Sequence, residues 1–317
     1  MSRRAIFAML GLCAWVAGSA LGAVSPVAAH ASSGIVIGKA HAGYTPSLTG
    51  TKPVVILAVG SGARPGDDVM HSLSDSIHLI FLSPANHHAT IVGIPRDSWV
   101  SIPGHGTAKI NAALGYGGPD LMVQTVESLA GVHIDYWAIT TFWGFTDMIN
   151  QINGLTIDVP FRFNDPSYSR ANLQPGLQRL NGVQALAMAR DRHSMLAGDF
   201  ARSENQGRLM LAALAQFQQT YEADPGNMFT WLGAGMSNMT TTVPLNEATE
   251  LAFTASKVPV KNVQNVVLPG GTGMIGSQSV VQLNPAWKTR IISDAKTDGI
   301  LSKQNVPPSP TANQPKG

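Results

Sequence analysis

Hydrophobic and polar positions along this chain alternate between two periods. The run Val54-Val-Ile-Leu-Ala-Val-Gly60 is unbroken and apolar and ends on glycine, the pattern of a strand buried on both faces. Ile77 to Leu82 and Ala89 to Val100 are further β-rich runs, separated by the turn that begins at Pro84. The period then changes. Met122, Val126 and Leu129 recur at helical spacing, and Pro119 suits the first helical position, where its missing N–H costs nothing. Tyr136 to Phe142 predicts a strand, Phe145 to Ile152 a helix that stops before Gly154, and Leu155 to Pro160 another strand. Helices are expected over Gly182 to Ala189 and from Asp199 to Tyr221, where Met210, Leu214 and Phe217 share a face and Asp199 serves as N-cap. Leu245 to Lys257 predicts a helix and Val263 to Leu268 a strand. Strands interleaved with helices imply an α/β sandwich with helices on both faces of the sheet.

The ends read differently. Arg3 and Arg4 precede an uncharged stretch from Ala5 to Ala29, and Ala29-His30-Ala31 has the small-x-small form of a cleavage site. Residues 1–31 are read as an export signal cut after Ala31, or as a retained anchor, since the stretch can span about 30 Å of hydrocarbon. Either reading puts the rest of the chain outside the cytoplasmic membrane. Residues 32–52, rich in Gly, Ser, Ala and Thr, are expected to form a spacer, residues 53–302 the domain, and residues 303–317 (KQNVPPSPTANQPKG) a disordered tail.

Composition narrows the function. A formal charge of +2 over 317 residues argues against a broad nucleic-acid-binding surface, so any phosphate site must be local. The single cysteine, Cys13, lies in the N-terminal apolar stretch, which leaves the folded part without a disulfide or a cysteine metal site.

Charge is concentrated in one place. From Arg190 to Glu204, six of fifteen residues are charged (Arg190, Asp191, Arg192, Asp199, Arg202, Glu204), in a chain that is 13% charged. Arg202 and Gln206 lie four apart, on one face near a helix N-terminus that favours anions. In a non-helical loop Arg190 and Arg192 could both turn toward Arg202. Three guanidiniums that converge repel one another unless an anion or carboxylates lie between them, and pyrophosphate fits that role. A structural ion-pair network with Asp191 and Asp199 accounts for the stretch equally well.

A second cluster follows the first strands: GSGARPGDD at 60–68, SLSDSIH at 72–78 and GIPRDSW at 93–99. Arg64, Asp75 and Arg96 sit at strand ends, where open α/β sheets collect ligands. Carboxylates there could hold Mg²⁺, which takes one or two of them together with substrate phosphate oxygens.

In order along the chain stand GSxxR after a strand, SDS, IPRDS, KINAA at 109–113, GGP at 117–119, VExLxG, IDY and ARxRHS…GDFxR…NQG. This sequence of motifs, from about residue 54 to 217, resembles the LytR-CpsA-Psr family. The resemblance implies a three-layer αβα sandwich around a central mixed β-sheet. It also implies an extracytoplasmic, Mg²⁺-dependent phosphotransferase that moves a glycopolymer from a polyprenyl-pyrophosphate carrier onto peptidoglycan at the membrane lipid surface; the near-neutral charge and the export signal argue against a nucleic-acid partner. By motif, Arg96, Arg190 and Arg192, with Arg202 and Gln206, would bind pyrophosphate, and Asp75 would hold Mg²⁺. Arg64 matches the arginine of the family's first turn, Asp199 would orient arginines, and Lys109 would stand at the rim or be structural. Asp75 or Asp97 would take the acceptor proton.

The chain departs from the family pattern where Gly62 replaces an aspartate and Leu73 an arginine; Asn205 also stands where arginine is frequent. Asp67 or Asp68 is the candidate substitute for the missing carboxylate. The departures motivate an alternative, a non-catalytic member that binds lipid pyrophosphate or wall glycan.

Smaller signals are read structurally. Gly271-Thr-Gly273-Met-Ile-Gly276 spells GxGxxG, but extended residues follow it, so it is read as a glycine-rich loop and not a dinucleotide site. His87-His88 lacks a third metal ligand in view. Trp99, Trp137 and Trp143 are expected in the core or along an apolar tunnel.

Overall fold

The computed structural model describes residues 34–236 and 239–315. The export segment expected over residues 1–31 lies outside the described residues. Among them, no helix is long and apolar enough to cross a membrane.

The strands in chain order begin with β1 (Ile35–Lys39), β2 (Val54–Ser61), β3 (Ser74–Ser83), β4 (His88–Gly93), β5 (Trp99–Ile102), β6 (Gly106–Lys109), β7 (Tyr136–Thr140) and β8 (Leu155–Val159). They continue with β9 (Phe163–Asp165), β10 (Ala171–Leu173), β11 (Gly176–Leu180), β12 (Met239–Thr241), β13 (Val263–Val267), β14 (Gly270–Ile275) and β15 (Gln278–Leu283). The helices are α1 (Ala112–Ala130), α2 (Phe142–Gln151), α3 (Gly182–Arg190), α4 (Gly198–Ala223), α5 (Asn227–Met236), α6 (Leu245–Ser256) and α7 (Pro285–Asp298).

A seven-stranded mixed sheet forms the centre, in the order β12-β1-β7-β2-β3-β4-β13. β2 runs parallel to β7 and antiparallel to β3, and β13 runs parallel to β4. The pleat sorts the side chains. Val55, Leu57 and Val59 of β2 and Ile77, Leu79 and Phe81 of β3 face one side, where Met122, Val123 and Val126 of α1 and Ile291, Ile292 and Ala295 of α7 complete a core. The intervening positions face the other side, His78 toward α4 and Val54, Ile56 and Leu82 toward α6. Helix α4 comes so close to the sheet that a Cβ on Gly207 would lie 2.0 Å from Asn265 Oδ1 on β13. Helices on both faces make the expected αβα sandwich. A second core joins β8–β11 with α2, α3 and the N-terminal part of α4.

Several sequence expectations need correction. Residues 32–52 are not wholly a spacer: β1 pairs with β7 and β12 inside the sheet. Its five residues are too few to announce themselves amid Gly, Ser and Ala, and their partners lie about a hundred or more residues away. The tail is not disordered over its described residues. Ser309, Thr311 and Gln314 hydrogen-bond to Glu204 and to the segment before α4. Ala89 to Val100 is not one strand but two, β4 and β5, interrupted at Ile94-Pro95. The GxGxxG stretch is not a loop; it forms β14 of a hairpin with β15. Asp199 is not the N-cap of α4: Ala197 holds that position, and Asp199 lies in the first turn. In α1, Gly117 and Gly118 leave helical geometry, so Pro119 opens a fresh helical segment as expected, with an unforeseen turn before it.

Candidate active site

The carboxyl ends of the parallel strands β2 and β7 open into a cavity of about 510 Å³. Ligand sites in open α/β sheets form at such ends. One wall is apolar: Phe142, Phe145 and Met148 of α2, Leu186 of α3, and Leu209 and Met210 of α4. The other end is charged and carries Asp75, Arg96, Arg190, Arg192 and Arg202. Small residues of the sheet, Ala58 and Gly60, leave room between the two.

The sequence reading expected these arginines to meet, and the fold brings them to one cavity from four elements. Arg96 follows β4 and pairs with Asp75 at the start of β3. Its Nε is buried without a hydrogen-bond partner among the described protein atoms. Arg190 ends α3 and lies with its guanidinium carbon 4.7 Å from the centre of the Phe142 ring. It belongs to a helix and not to the loop first expected. Arg192 lies in the connection to α4, with Nη1 3.7 Å from Asp199 Oδ1. Arg202, one turn along α4, brings Nη2 to 2.9 Å from the same oxygen. Gln206 donates from Nε2 to the Ala189 carbonyl at 3.0 Å, tying α4 to the end of α3 beside Arg190.

Asp191 takes no part in this network. It is buried and accepts from the backbone N–H groups of His193 and Ser194 and from the Ser194 hydroxyl, at 3.0, 3.1 and 2.6 Å. It shapes the turn that carries Arg192, as short carboxylate side chains do.

Two carboxyl groups, Asp97 and Asp199, meet beside the arginines. Burial and the hydrogen bond to Asp199 push the Asp97 carboxyl up. Burial also acts to raise Asp199, but Arg202, the Asp97 hydrogen bond and the neighbouring Arg96 and Arg192 hold it below the usual carboxylate range. Of the two, Asp97 therefore holds a proton more readily and Asp199 the negative charge. Burial lowers the Arg202 guanidinium to about 10, with Asp199 opposing, so it remains cationic at neutral pH. Four guanidiniums and one carboxylate, that of Asp75, line this end of the cavity.

Two of the named residues do not line the cavity. Arg64 is exposed in the turn after β2, and its backbone N–H donates to Asp67 at 2.8 Å; it does not line the cavity. Lys109 sits behind the site with Nζ 3.3 Å from Asp97. Neither Asp67 nor Asp68 lines the cavity. Asp67 caps its own turn, and Asp68 accepts from Met70 N–H and contacts His71 at 2.9 Å. A Cβ on Gly62 would lie 3.5 Å from Asp75 Oδ2, so that position is where a second carboxylate would stand beside Asp75. The donors present offer Mg²⁺ one carboxylate, Asp75. This is the lower end of what the ion uses, with phosphate oxygens and water for the remainder.

The apolar wall from Phe142 to Met148 was not read from the sequence, because its period is that of any packed helix. The stacking of Tyr168 on His193, ring centres 4.1 Å apart at the cavity mouth, left no sequence signal either. None of Trp99, Trp137 and Trp143 lines the cavity; Trp137 is buried in the α1-side core and Trp143 packs against it.

The LytR_cpsA_psr family model matches residues 28–295. The polyisoprenyl-teichoic acid–peptidoglycan teichoic acid transferase TagV of Bacillus subtilis (strain 168) is 30% identical over 219 residues, 67% of this chain and 56% of that protein. The chain thus spans little more than half of that relative's length. The crystal structure of B. subtilis TagV superposes with a TM-score of 0.62 at 29% identity, covering 79% of this chain and 98% of the other. A LytR-CPS2A-psr family protein, YwtF (TagT), solved with bound octaprenyl pyrophosphate, superposes with a TM-score of 0.60 at 22% identity, covering 82% and 95%. On the family match across most of its length, this chain belongs to the LytR_cpsA_psr family.

Proposed function

We propose that this chain is an extracytoplasmic phosphotransferase that moves a glycopolymer from a polyprenyl-pyrophosphate carrier onto peptidoglycan. The observation that carries the reading is the union, in one cavity, of an apolar wall and four arginines with excess positive charge. A polyprenyl chain suits the first and a pyrophosphate the second. The octaprenyl pyrophosphate held by YwtF (TagT) and the transferase activity named for TagV support it.

In this reaction a hydroxyl oxygen of the wall glycan attacks the phosphorus that bears the glycopolymer. The bond from that phosphorus to the bridging oxygen breaks, and polyprenyl monophosphate leaves. Such a transfer needs alignment and charge stabilisation more than covalent help. Arg190, Arg192 and Arg202 supply fixed positive charge for the pyrophosphate. The unpartnered Arg96 Nε is a donor that a bound anion would satisfy. Of the carboxylates considered as proton acceptor, Asp75 lines the cavity, whereas Asp97 is directed to Asp199 and Lys109. Asp75 is also the residue that would hold Mg²⁺, whose charge would offset that of the phosphates.

Gly62 favours a second reading, a member that holds lipid pyrophosphate without acting on it, because one carboxylate is a sparse metal site. Incubation with Mg²⁺, a short-chain polyprenyl-pyrophosphate glycan and a muropeptide separates the two. Release of polyprenyl monophosphate that Arg190→Ala abolishes supports the transferase. Tight binding without release, lost in the same variant, supports the binder.

A further inference from the structure

At the other end of the sheet, three side chains from different segments converge. His41 follows β1, Glu127 lies in the last turn of α1, and His133 stands in the connection to β7. One ligand atom from each lies within 4.8 Å of the other two. His41 Nε2 is 2.9 Å and His133 Nδ1 3.6 Å from the same carboxylate oxygen, Glu127 Oε1. The two imidazoles stack with centres 4.1 Å apart, and the Tyr44 ring meets His133 edge-on at 5.5 Å. This place is distinct from the arginine cavity. Val55 and Asp135 pair at this end of β2 and β7, whereas Gly60 and Thr140 line the cavity, roughly 16 Å farther along the strands.

We propose that His41, Glu127 and His133 form a binding site for a zinc-class divalent ion. Two imidazole nitrogens and one carboxylate oxygen are the donor set of borderline metals, not of Mg²⁺, which prefers oxygen throughout. Hydrogen bonding alone leaves the cluster incompletely explained. Glu127 Oε1 already accepts from the Ile134 N–H at 2.8 Å, and the 3.6 Å contact of His133 is too long for a hydrogen bond. Donors at about 2.0–2.1 Å from a tetrahedral zinc ion lie about 3.3 Å from one another, so the 2.9 Å pair would open and the 3.6 Å pair close by a few tenths of an ångström each. The solvent-facing side chain of His133, 54% exposed, can make that adjustment by rotating. The same exposure admits water as a fourth ligand. A bound ion would fasten the chain leaving β1 to the end of α1 and the start of β7, the three segments that meet here.

Zinc uptake by the chelator-stripped full chain tests this. Equilibrium dialysis against Zn²⁺ followed by elemental analysis should show a site that His41→Ala and His133→Ala each weaken by more than about tenfold, since loss of even a supporting contact has that effect. Zn²⁺ should also raise the melting temperature of the parent chain and not of those variants. Uptake equal in the parent and the His41→Ala/His133→Ala double variant would overturn the proposal. So would uptake that is abolished by His88→Ala and retained by both other single variants, since the ion would then sit at the His87-His88 turn.

Discussion

Thr311 donates a hydrogen bond from Oγ1 to Oε2 of Glu204, 2.7 Å away and 107 residues earlier. Ser309 reaches the other oxygen of the same buried carboxylate, and Gln314 bonds to the backbone of Ser194 and Leu196. The tail therefore clamps both α4 and the segment that carries Arg192. Removing residues 308–317 strips Glu204 of these partners and leaves it Arg208. A loss of roughly 2–4 kcal/mol in unfolding free energy is expected. Hydrogen exchange at the Leu196 amide should accelerate in the shortened chain. Unchanged melting and unchanged exchange would show that the clamp does not hold in solution.

Arg190 and Arg202 should separate binding from folding. Arg190 stacks on Phe142 and has no ion-pair partner among the described residues, so Arg190→Ala should leave stability nearly unaltered. The variant should weaken polyprenyl-pyrophosphate binding by about tenfold to a hundredfold, as expected for a lost charge-assisted contact. Arg202→Met deprives the largely buried Asp199 side chain of its closest cation and should cost about 3 kcal/mol of stability as well. Calorimetric binding and urea unfolding of the two variants check the contrast.

His78 makes stability fall in mild acid. Its ring is wholly buried between Ser76 and α4, and burial lowers it from 6.5 to about 4, with the Ser203 carbonyl opposing. Nε2 must carry the proton that it donates to that carbonyl, which leaves Nδ1 to accept from the Ser76 hydroxyl. The unfolded chain takes up a proton below about pH 6.5 that the folded chain refuses until about pH 4. Stability from this group is therefore full at neutral pH and is lost as pH falls through that window, by roughly 3 kcal/mol in all. Urea unfolding of the parent and of His78→Gln at pH 7 and pH 5 should show a smaller acid loss in the variant.

Gly62→Asp tests the sparse metal site. The new side chain would start 3.5 Å from Asp75 Oδ2 but 2.9 Å from the Leu73 carbonyl oxygen, which must yield. Mg²⁺ affinity should rise about tenfold with a second carboxylate. Stability should drop by about 1 kcal/mol from the crowding. Titration with Mg²⁺ in the absence of lipid reads the first effect and thermal unfolding the second. No gain in Mg²⁺ affinity would mean that Asp75 is not a metal ligand.

The buried runs of β2 and β3 and the helical spacing after Asp199 depend on period alone, so their type was legible without any partner. The arginines were legible as a group because charge is scarce elsewhere in the chain. Their division of labour was not. Asp191 and Asp199 have the same side chain and stand eight positions apart in one charged stretch. The second pairs with Arg202 three residues on in α4 and, through tertiary packing, meets Asp97, while the first closes a turn. Arg64 was drawn toward the site by motif position, and Asp67 and Asp68 by nearness to Gly62, whereas the folded backbone turns all three away from the cavity.

Local pattern thus determined the interleaved strands and helices, the family resemblance and the arginine-rich character of the site, because each rests on residues close in sequence. Tertiary structure alone decided that Ile35–Lys39 belongs to the sheet, that the tail grips Glu204, that α2 supplies the apolar wall, and that two histidines meet Glu127. In each case the deciding partners lie far apart along the chain. A contact of that kind leaves no period in the sequence and exists only once the sheet has brought its strands together.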